Sequence, residues 1–217
     1  MKKVALIVAG GKGERMNSRL PKQFLLLNNI PILMHTIKKF SHFEKIILVL
    51  PATEFDYWNQ LCQNINFNEN HILVKGGKSR FHSVKNGLAK ITEKSIVAIH
   101  DGVRPLISKS LIDKLIAQTK ERIGVVPIIP IKESIRKVEG LKSIYINRNN
   151  LYQVQTPQCF ISSDIKDAYN QNFSKDFTDD ASVLEKNGCK ITTILGELKN
   201  IKITTEEDLK IAKVFMQ

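Results

Sequence analysis

The chain has three cysteines, one tryptophan and seven prolines in 217 residues, and none of its apolar runs approaches the length that spans a bilayer. Cys62, Cys159 and Cys189 are odd in number, widely separated and without metal-ligand spacing. That pattern argues against a disulfide framework or a zinc module and for reduced structural thiols. Internal repeats, low-complexity tracts and a Pro/Ser-rich linker are also missing, so a chain of this size fits one α/β domain better than two. The Lys-rich start is not expected to be a secretory leader, because the apolar stretch after it is short and runs into Lys12, Glu14 and Arg15. A cytoplasmic protein with no membrane partner is the expectation.

Acidic residues are few beside basic ones, 21 against 33, giving a formal charge of +12. The lysines are scattered rather than gathered in one block, and no aromatic-bearing RNA motif accompanies them. No nucleic-acid partner is expected. A solvated basic surface remains, and it would draw small polyanionic substrates by electrostatic steering.

What the chain does have is a glycine-rich loop directly after an apolar strand-like run. Val8-Ala9-Gly10-Gly11-Lys12-Gly13-Glu14-Arg15-Met16 leads on to Pro21-Lys22-Gln23. Gly10, Gly11 and Gly13 let the backbone turn its N–H groups toward an anion, while Lys12, Arg15 and Lys22 supply charge. The loop suits a triphosphate. It is not a Walker loop, since Gly-Lys is followed by Gly13-Glu14 rather than Ser/Thr, and it lacks the third glycine of a dinucleotide fingerprint. With no well-placed ribose-binding acid either, a nicotinamide dehydrogenase is disfavoured.

Short β-branched runs recur at Val4-Val8, Ile46-Leu50, Ile72-Val74, Ile96-Ile99 and Gly124-Ile128, separated by helix-compatible segments. This rhythm predicts an α/β fold, a single Rossmann-like domain with a mostly parallel sheet and flanking helices. Pro31 opens a helix over 31–40, Ser108 caps one over 109–120, and Thr204 with Glu207 has capping-box spacing before the last helix. Between Pro130 and Val154 the alternation breaks, and residues 131–148 read as a protruding β-arm with a turn at Glu139-Gly140. Such a hairpin is marginal unless something covers it.

Ligands of open parallel sheets bind beyond the carboxyl ends of the strands, and the unusual residues here follow predicted strands. Gly76-Gly77-Lys78-Ser79-Arg80-Phe81-His82-Ser83 allows close backbone approach, and Ser83 can bond a base or ribose. In His100-Asp101-Gly102-Val103-Arg104-Pro105, Asp101 suits Mg²⁺, which takes one or two carboxylates and completes its octahedron with water and phosphate oxygens. His100 reads as structural. Gln155-Thr156-Pro157-Gln158, Phe177-Thr178-Asp179-Asp180-Ala181-Ser182 and Asn200-Ile201-Lys202-Ile203-Thr204 read singly as a turn, a helix cap and a strand edge.

In this order the seven motifs resemble the 2-C-methyl-D-erythritol 4-phosphate cytidylyltransferases of non-mevalonate isoprenoid biosynthesis, over nearly the whole chain. The resemblance implies transfer of CMP from CTP to methylerythritol phosphate, with Mg²⁺ and release of pyrophosphate. It implies that Gly10, Gly11, Gly13 and Arg15 wrap the triphosphate, that Arg15 and Lys22 are catalytic, and that Gly77, Arg80 and Ser83 contact the cytidine. It further implies that Asp101 binds the metal, that Arg104, Thr178 and Lys202 line the acceptor site, and that Ser134 and Arg148 of the arm reach acceptor phosphate across a homodimer interface. Ser134 stands where threonine is more usual and keeps the hydroxyl. The pentitol-phosphate cytidylyltransferases share the CTP motifs, so ribitol 5-phosphate is the alternative acceptor.

Overall fold

The structure is a computed structural model that describes residues 1–11 and 20–217. Four parallel strands form its frame: β1 (Lys2–Val8), β4 (Lys45–Leu50), β5 (Ile72–Lys75) and β6 (Ser95–Asp101), lying side by side in the order β6, β1, β4, β5. A small hairpin of β2 (Leu26–Leu27) and β3 (Ile30–Pro31) sits between the first two. It turns on Asn28 and Asn29, both at positive φ (49° and 63°). Asparagine tolerates that left-handed conformation better than most residues.

Beyond β6 the sheet continues in mixed sense. β7 (Ile123–Pro130) carries β12 (Lys190–Leu195) in parallel on one edge. Its other edge carries two short antiparallel strands, β10 (Tyr152–Val154) and β11 (Gln158–Ile161), and β11 also pairs with β6. A two-stranded ribbon of β8 (Ile135–Glu139) and β9 (Lys142–Ile146) stands outside this sheet.

The central strands bury both faces, which explains why they read as continuous apolar runs. Ala5, Ile7, Ile46, Leu48 and Ala98 point to one side, where they meet α1 (Ile32–Lys38), α2 (Phe55–Ile65) and α4 (Lys109–Gln118). Leu6, Ile47, Val49, Val97 and Ile99 point to the other, under α3 (Arg80–Leu88), α5 (Ser162–Ala168) and α6 (Asp180–Lys186). A third cluster, Leu27, Ile32, Val103, Ile203 and Ala212, fastens α7 (Glu206–Phe215) near the strand ends.

Helix starts follow capping chemistry closely. Pro31 precedes α1, and Ser108 accepts the Leu111 N–H at the start of α4. The capping box of the last helix is Thr205 with Asp208, one residue on from the expected Thr204 and Glu207. Asp208 wins because one carboxylate oxygen accepts from the N–H and hydroxyl of Thr204 and from the N–H of Thr205. Asn200–Thr204, expected as a strand edge, is instead irregular chain held through Ile203 N–H to the Val103 carbonyl at 2.9 Å.

Candidate functional site

Four parallel strands end side by side, and the segments leaving them enclose a cleft of about 650 Å³. Val8 to Gly11 follow β1; Pro51, Thr53 and Glu54 follow β4; Gly77 to Arg80 and Ser83 follow β5; Asp101 and Val103 close β6. Lys22, Gln23 and Lys202 complete the wall. Backbone bonds carry the sheet geometry into the cleft floor, with Ala9 N–H on the Val49 carbonyl, Gly76 N–H on Leu50 and Gly102 N–H on Val8.

Lys22 opens a one-turn 3₁₀ helix, Lys22–Phe24, whose next two residues anchor it. Gln23 is fully buried and donates to Glu54 Oε2 at 2.8 Å; Phe24 is buried against Tyr57 and Trp58. A Cβ added to Gly11 would lie 3.7 Å from Lys22 Nζ, so the ammonium stands beside the glycine backbone. Gly13 and Arg15 lie outside the described residues.

The Gly76-Gly77 turn is built for close approach. A Cβ on Gly77 would come within 2.4 Å of His82 Cβ, a distance real side chains do not tolerate. Ser83 Oγ accepts the Gly77 N–H at 3.1 Å and donates to the Ser79 carbonyl at 2.9 Å, so two expected cytidine contacts first bond to each other and set the turn's shape.

Asp101 is the electrostatic centre. Its Oδ2 receives Arg104 Nε at 3.2 Å and lies 3.1 Å from Lys202 Nζ, while Oδ1 has, among the described residues, only Arg80 Nε, at 3.7 Å. Burial by itself would raise this carboxyl's pKa, but Arg80, then Lys202 and Arg104, outweigh it and hold the group well below the usual carboxylate range. Asp101 is therefore ionised at neutral pH. Its N–H donates to Thr156 Oγ1, whose hydroxyl faces His100 Nδ1 at 3.0 Å, and His100 Nε2 lies 3.0 Å from the Arg104 carbonyl. Since a carbonyl only accepts, Nε2 carries the proton and the ring is the neutral Nε2–H tautomer. Burial drops the His100 pKa to about 4. The structural role expected for His100 holds.

Arg80 is clamped from the far side. Its two terminal nitrogens meet both oxygens of Asp180, at 2.8 and 2.7 Å, and Tyr169 donates to the same carboxylate at 2.6 Å. Although burial disfavours the cation, Asp180 more than compensates and raises the guanidinium pKa further. Asp180, Tyr169, Gln23, Glu54 and Thr156 had no assigned role in the sequence. Gln23, Thr156 and Asp180 stood within quoted motifs, but nothing local says that Asp180 meets a residue 100 positions away.

The fold thus brings together Gly10, Gly11, Lys22, Gly77, Arg80, Ser83, Asp101 and Lys202, with Arg104 just behind Asp101. Thr178, Ser134 and Arg148 do not line the cleft. Thr178 is exposed just before the Asp179 cap of α6, while Ser134 and Arg148 are exposed on and beside the ribbon, where Arg148 donates to the Lys132 carbonyl. The ribbon turns at Gly140 and Leu141 and leaves Val138, Leu141, Ile144 and Tyr145 open to solvent. Among the described residues no three His, Cys, Asp or Glu side chains converge as a metal cage, and no helix is long and apolar enough to cross a membrane.

A sequence profile of the 2-C-methyl-D-erythritol 4-phosphate cytidylyltransferase family matches residues 3–217. Proteins of that name from Bacteroides fragilis and Azobacteroides pseudotrichonymphae are similar to the chain, at 45% identity over the full length of both chains and 46% over 99% of this one and 98% of the relative. The crystal structure of the Francisella tularensis enzyme of the same name superposes with a TM-score of 0.82, at 30% identity and 99% coverage of both chains.

Proposed function

The chain belongs to the 2-C-methyl-D-erythritol 4-phosphate cytidylyltransferase family, and on that premise we propose that its cleft transfers CMP from CTP to the phosphate of methylerythritol phosphate. The products are the CDP-alcohol and pyrophosphate. The observation that supports this is the union in one cleft of a glycine backbone with an ammonium beside it, Gly10, Gly11 and Lys22, and a buried carboxylate ringed by Arg80, Arg104 and Lys202. One half suits a triphosphate; the other suits a second phosphate and a cation.

An acceptor phosphate oxygen is already anionic near neutral pH, so attack on the α-phosphorus needs no general base. The protein's task is to hold two polyanions in line and to neutralise charge that grows at the α-phosphate. Gly10 and Gly11 offer backbone N–H groups to the triphosphate, with Gly13 and Arg15 in the same role, and Lys22 meets the developing charge together with Arg15. Gly77, Arg80 and Ser83 face the nucleoside. Lys202 and Arg104 serve the acceptor, and Thr178 is assigned to it on the family resemblance although it lies outside the cleft wall.

Asp101 fits a divalent cation shared with the triphosphate: it is ionised, it lines the cleft, and its Oδ1 has no partner within hydrogen-bond distance among the described residues. One protein carboxylate suffices where phosphate oxygens and water fill the remaining positions, and Mg²⁺ so held would withdraw charge from the reacting phosphate. The ribbon is read as the part that completes a second copy's acceptor site through Ser134 and Arg148, which makes the working form a homodimer. With three free thiols among the described residues, the cytoplasm is the fitting compartment.

Pyrophosphate release measured across CTP, UTP, ATP and GTP, each with methylerythritol phosphate or ribitol 5-phosphate, tests the reading. Release should require CTP and methylerythritol phosphate together. A tenfold higher kcat/KM with ribitol 5-phosphate would transfer the assignment to the pentitol acceptor, which the names of the similar proteins do not favour.

A further inference from the structure

We propose that Asp180 is a positioning residue that withholds Arg80 from Asp101 and so keeps Asp101 Oδ1 available to the divalent cation. The inference rests on the reading of Asp101 as the metal-binding carboxylate. Asp180 lies outside the cleft wall and is fully buried at the start of α6, while Arg80 belongs to the first turn of α3 and reaches into the cleft.

The guanidinium stands between two carboxylates and is shared unequally. Both terminal nitrogens go to Asp180 at 2.7 and 2.8 Å, the parallel two-point geometry that makes arginine–carboxylate pairs strong and directional. Only Nε faces Asp101, at 3.7 Å, longer than a hydrogen bond. Meanwhile Arg104 and Lys202 both take Oδ2. Among the described residues Oδ1 is thus the one oxygen of that buried carboxylate left without a close partner, and it is left so because Asp180 has oriented the nearest of their cations away from it. Tyr169 fixes the clamp by donating to Asp180 Oδ1 at 2.6 Å, and the ring is itself stacked on Phe81 at 4.6 Å.

Removing the Asp180 charge alters this balance in a definite direction. A half-buried guanidinium that loses its two-point partner turns to the nearest other carboxylate, which is Asp101. Arg80 would close onto Oδ1 and compete with the cation for it. Asp180→Asn keeps the shape of the side chain while removing the charge and turning one of its two acceptor oxygens into an NH₂ donor, so the two-point hold on Arg80 is lost with little change in packing.

The test is Mn²⁺ binding in the presence of CTP, without acceptor, followed by electron paramagnetic resonance on the unaltered chain, Asp101→Asn and Asp180→Asn. The expected result is a loss of Mn²⁺ affinity of about tenfold or more in Asp180→Asn, the scale on which partners behind a metal ligand act, with a larger loss in Asp101→Asn. Equal affinity in Asp101→Asn and the unaltered chain would defeat the metal-site reading itself. A loss in Asp101→Asn with unaltered affinity in folded Asp180→Asn would overturn the positioning role alone. Crystals of the unaltered chain with Mg²⁺ and CTP probe the same point without a variant. Arg80 should remain paired with Asp180 while Asp101 Oδ1 meets the metal, and an Arg80 moved onto Asp101 would refute the proposal.

Discussion

Lys22 and His100 occupy neighbouring parts of one site, yet their chemistry separates them cleanly. Lys22 stands in the cleft beside Gly11, on a turn anchored by the buried Gln23 and Phe24. Lys22→Ala should therefore lower kcat by about a hundredfold to a thousandfold, the usual cost of one charge-stabilising donor, while the melting temperature changes little. Near-normal turnover would remove Lys22 from catalysis. His100 has no exposure to the cleft and bonds Thr156 and the Arg104 carbonyl as a neutral ring. Its pKa is depressed by burial to about 4, so below the unfolded value of about 6.5 the unfolded chain binds a proton that the folded chain refuses. The His100 contribution to stability should fall as pH drops from about 6.5 toward 4, by an amount on the order of 3 kcal/mol at about 1.4 kcal/mol per unit, and level off there, while the depressed Asp101 carboxyl carries the loss of stability on to lower pH. Denaturant midpoints measured across that range would show the slope, and a flat profile would mean that the ring is protonated in the folded state.

Among the elements, the β8–β9 ribbon is the one whose stability the rest of the chain does not explain. It shares no ladder with the main sheet, and four of its large apolar side chains are exposed. Two-stranded ribbons are marginal in water without a covering surface, which is the physical argument for a second copy. If the ribbon completes the partner's acceptor site, Arg148→Ala should raise KM for methylerythritol phosphate with little change for CTP. Mixing Arg148→Ala with Lys22→Ala chains should restore one working site per heterodimer, because both lesions can then fall in the same composite site. Verified heterodimers without activity, or a monomer at working concentration, would sink the shared site. The ribbon also marks how far local signals carry. Its existence, the Ser108 cap and the apolar runs of β1, β4, β5, β6 and β7 were legible because each is written in consecutive residues. The Asn28-Asn29 hairpin, the antiparallel insertion of β10 and β11 and the strand β12 were not read. β10, β11 and β12 depend on pairings between segments such as Cys159 with Val125 or Leu195 with Ile128, whose partners no local pattern names, while the hairpin is local but its strands are only two residues each. The same holds inside the site: Asp101 and Lys202 were visible through their motifs, whereas the hold of Asp180 on Arg80 exists only in three dimensions.

Taken as a whole molecule, the chain is a cation serving two polyanions. Its formal charge is +12, and several of the surface lysines are already neutralised by neighbours, as Lys2 is by Glu93 and Lys109 by Asp113. The attraction felt by an approaching triphosphate is then the sum of many scattered charges plus the cluster in the cleft, and the two contributions respond differently to salt. At about 0.1 M ionic strength the screening length is roughly 10 Å, shrinking to roughly 3 Å at 1 M. The distant lysines should be silenced over that range, while contacts inside the cleft, with water displaced by substrate, are screened far less. The expected outcome is a kcat/KM for CTP that falls severalfold as salt rises, with kcat at saturating substrate changing much less, since steering acts on encounter rather than on the bound complex. A single Lys186→Gln substitution, at the end of α6, should have almost no effect at any salt, because no one surface charge dominates a distributed field. A kcat/KM indifferent to ionic strength would show that the positive surface has no part in capturing substrate, and a large effect of Lys186→Gln alone would show that the charge acts as a local patch rather than as a field.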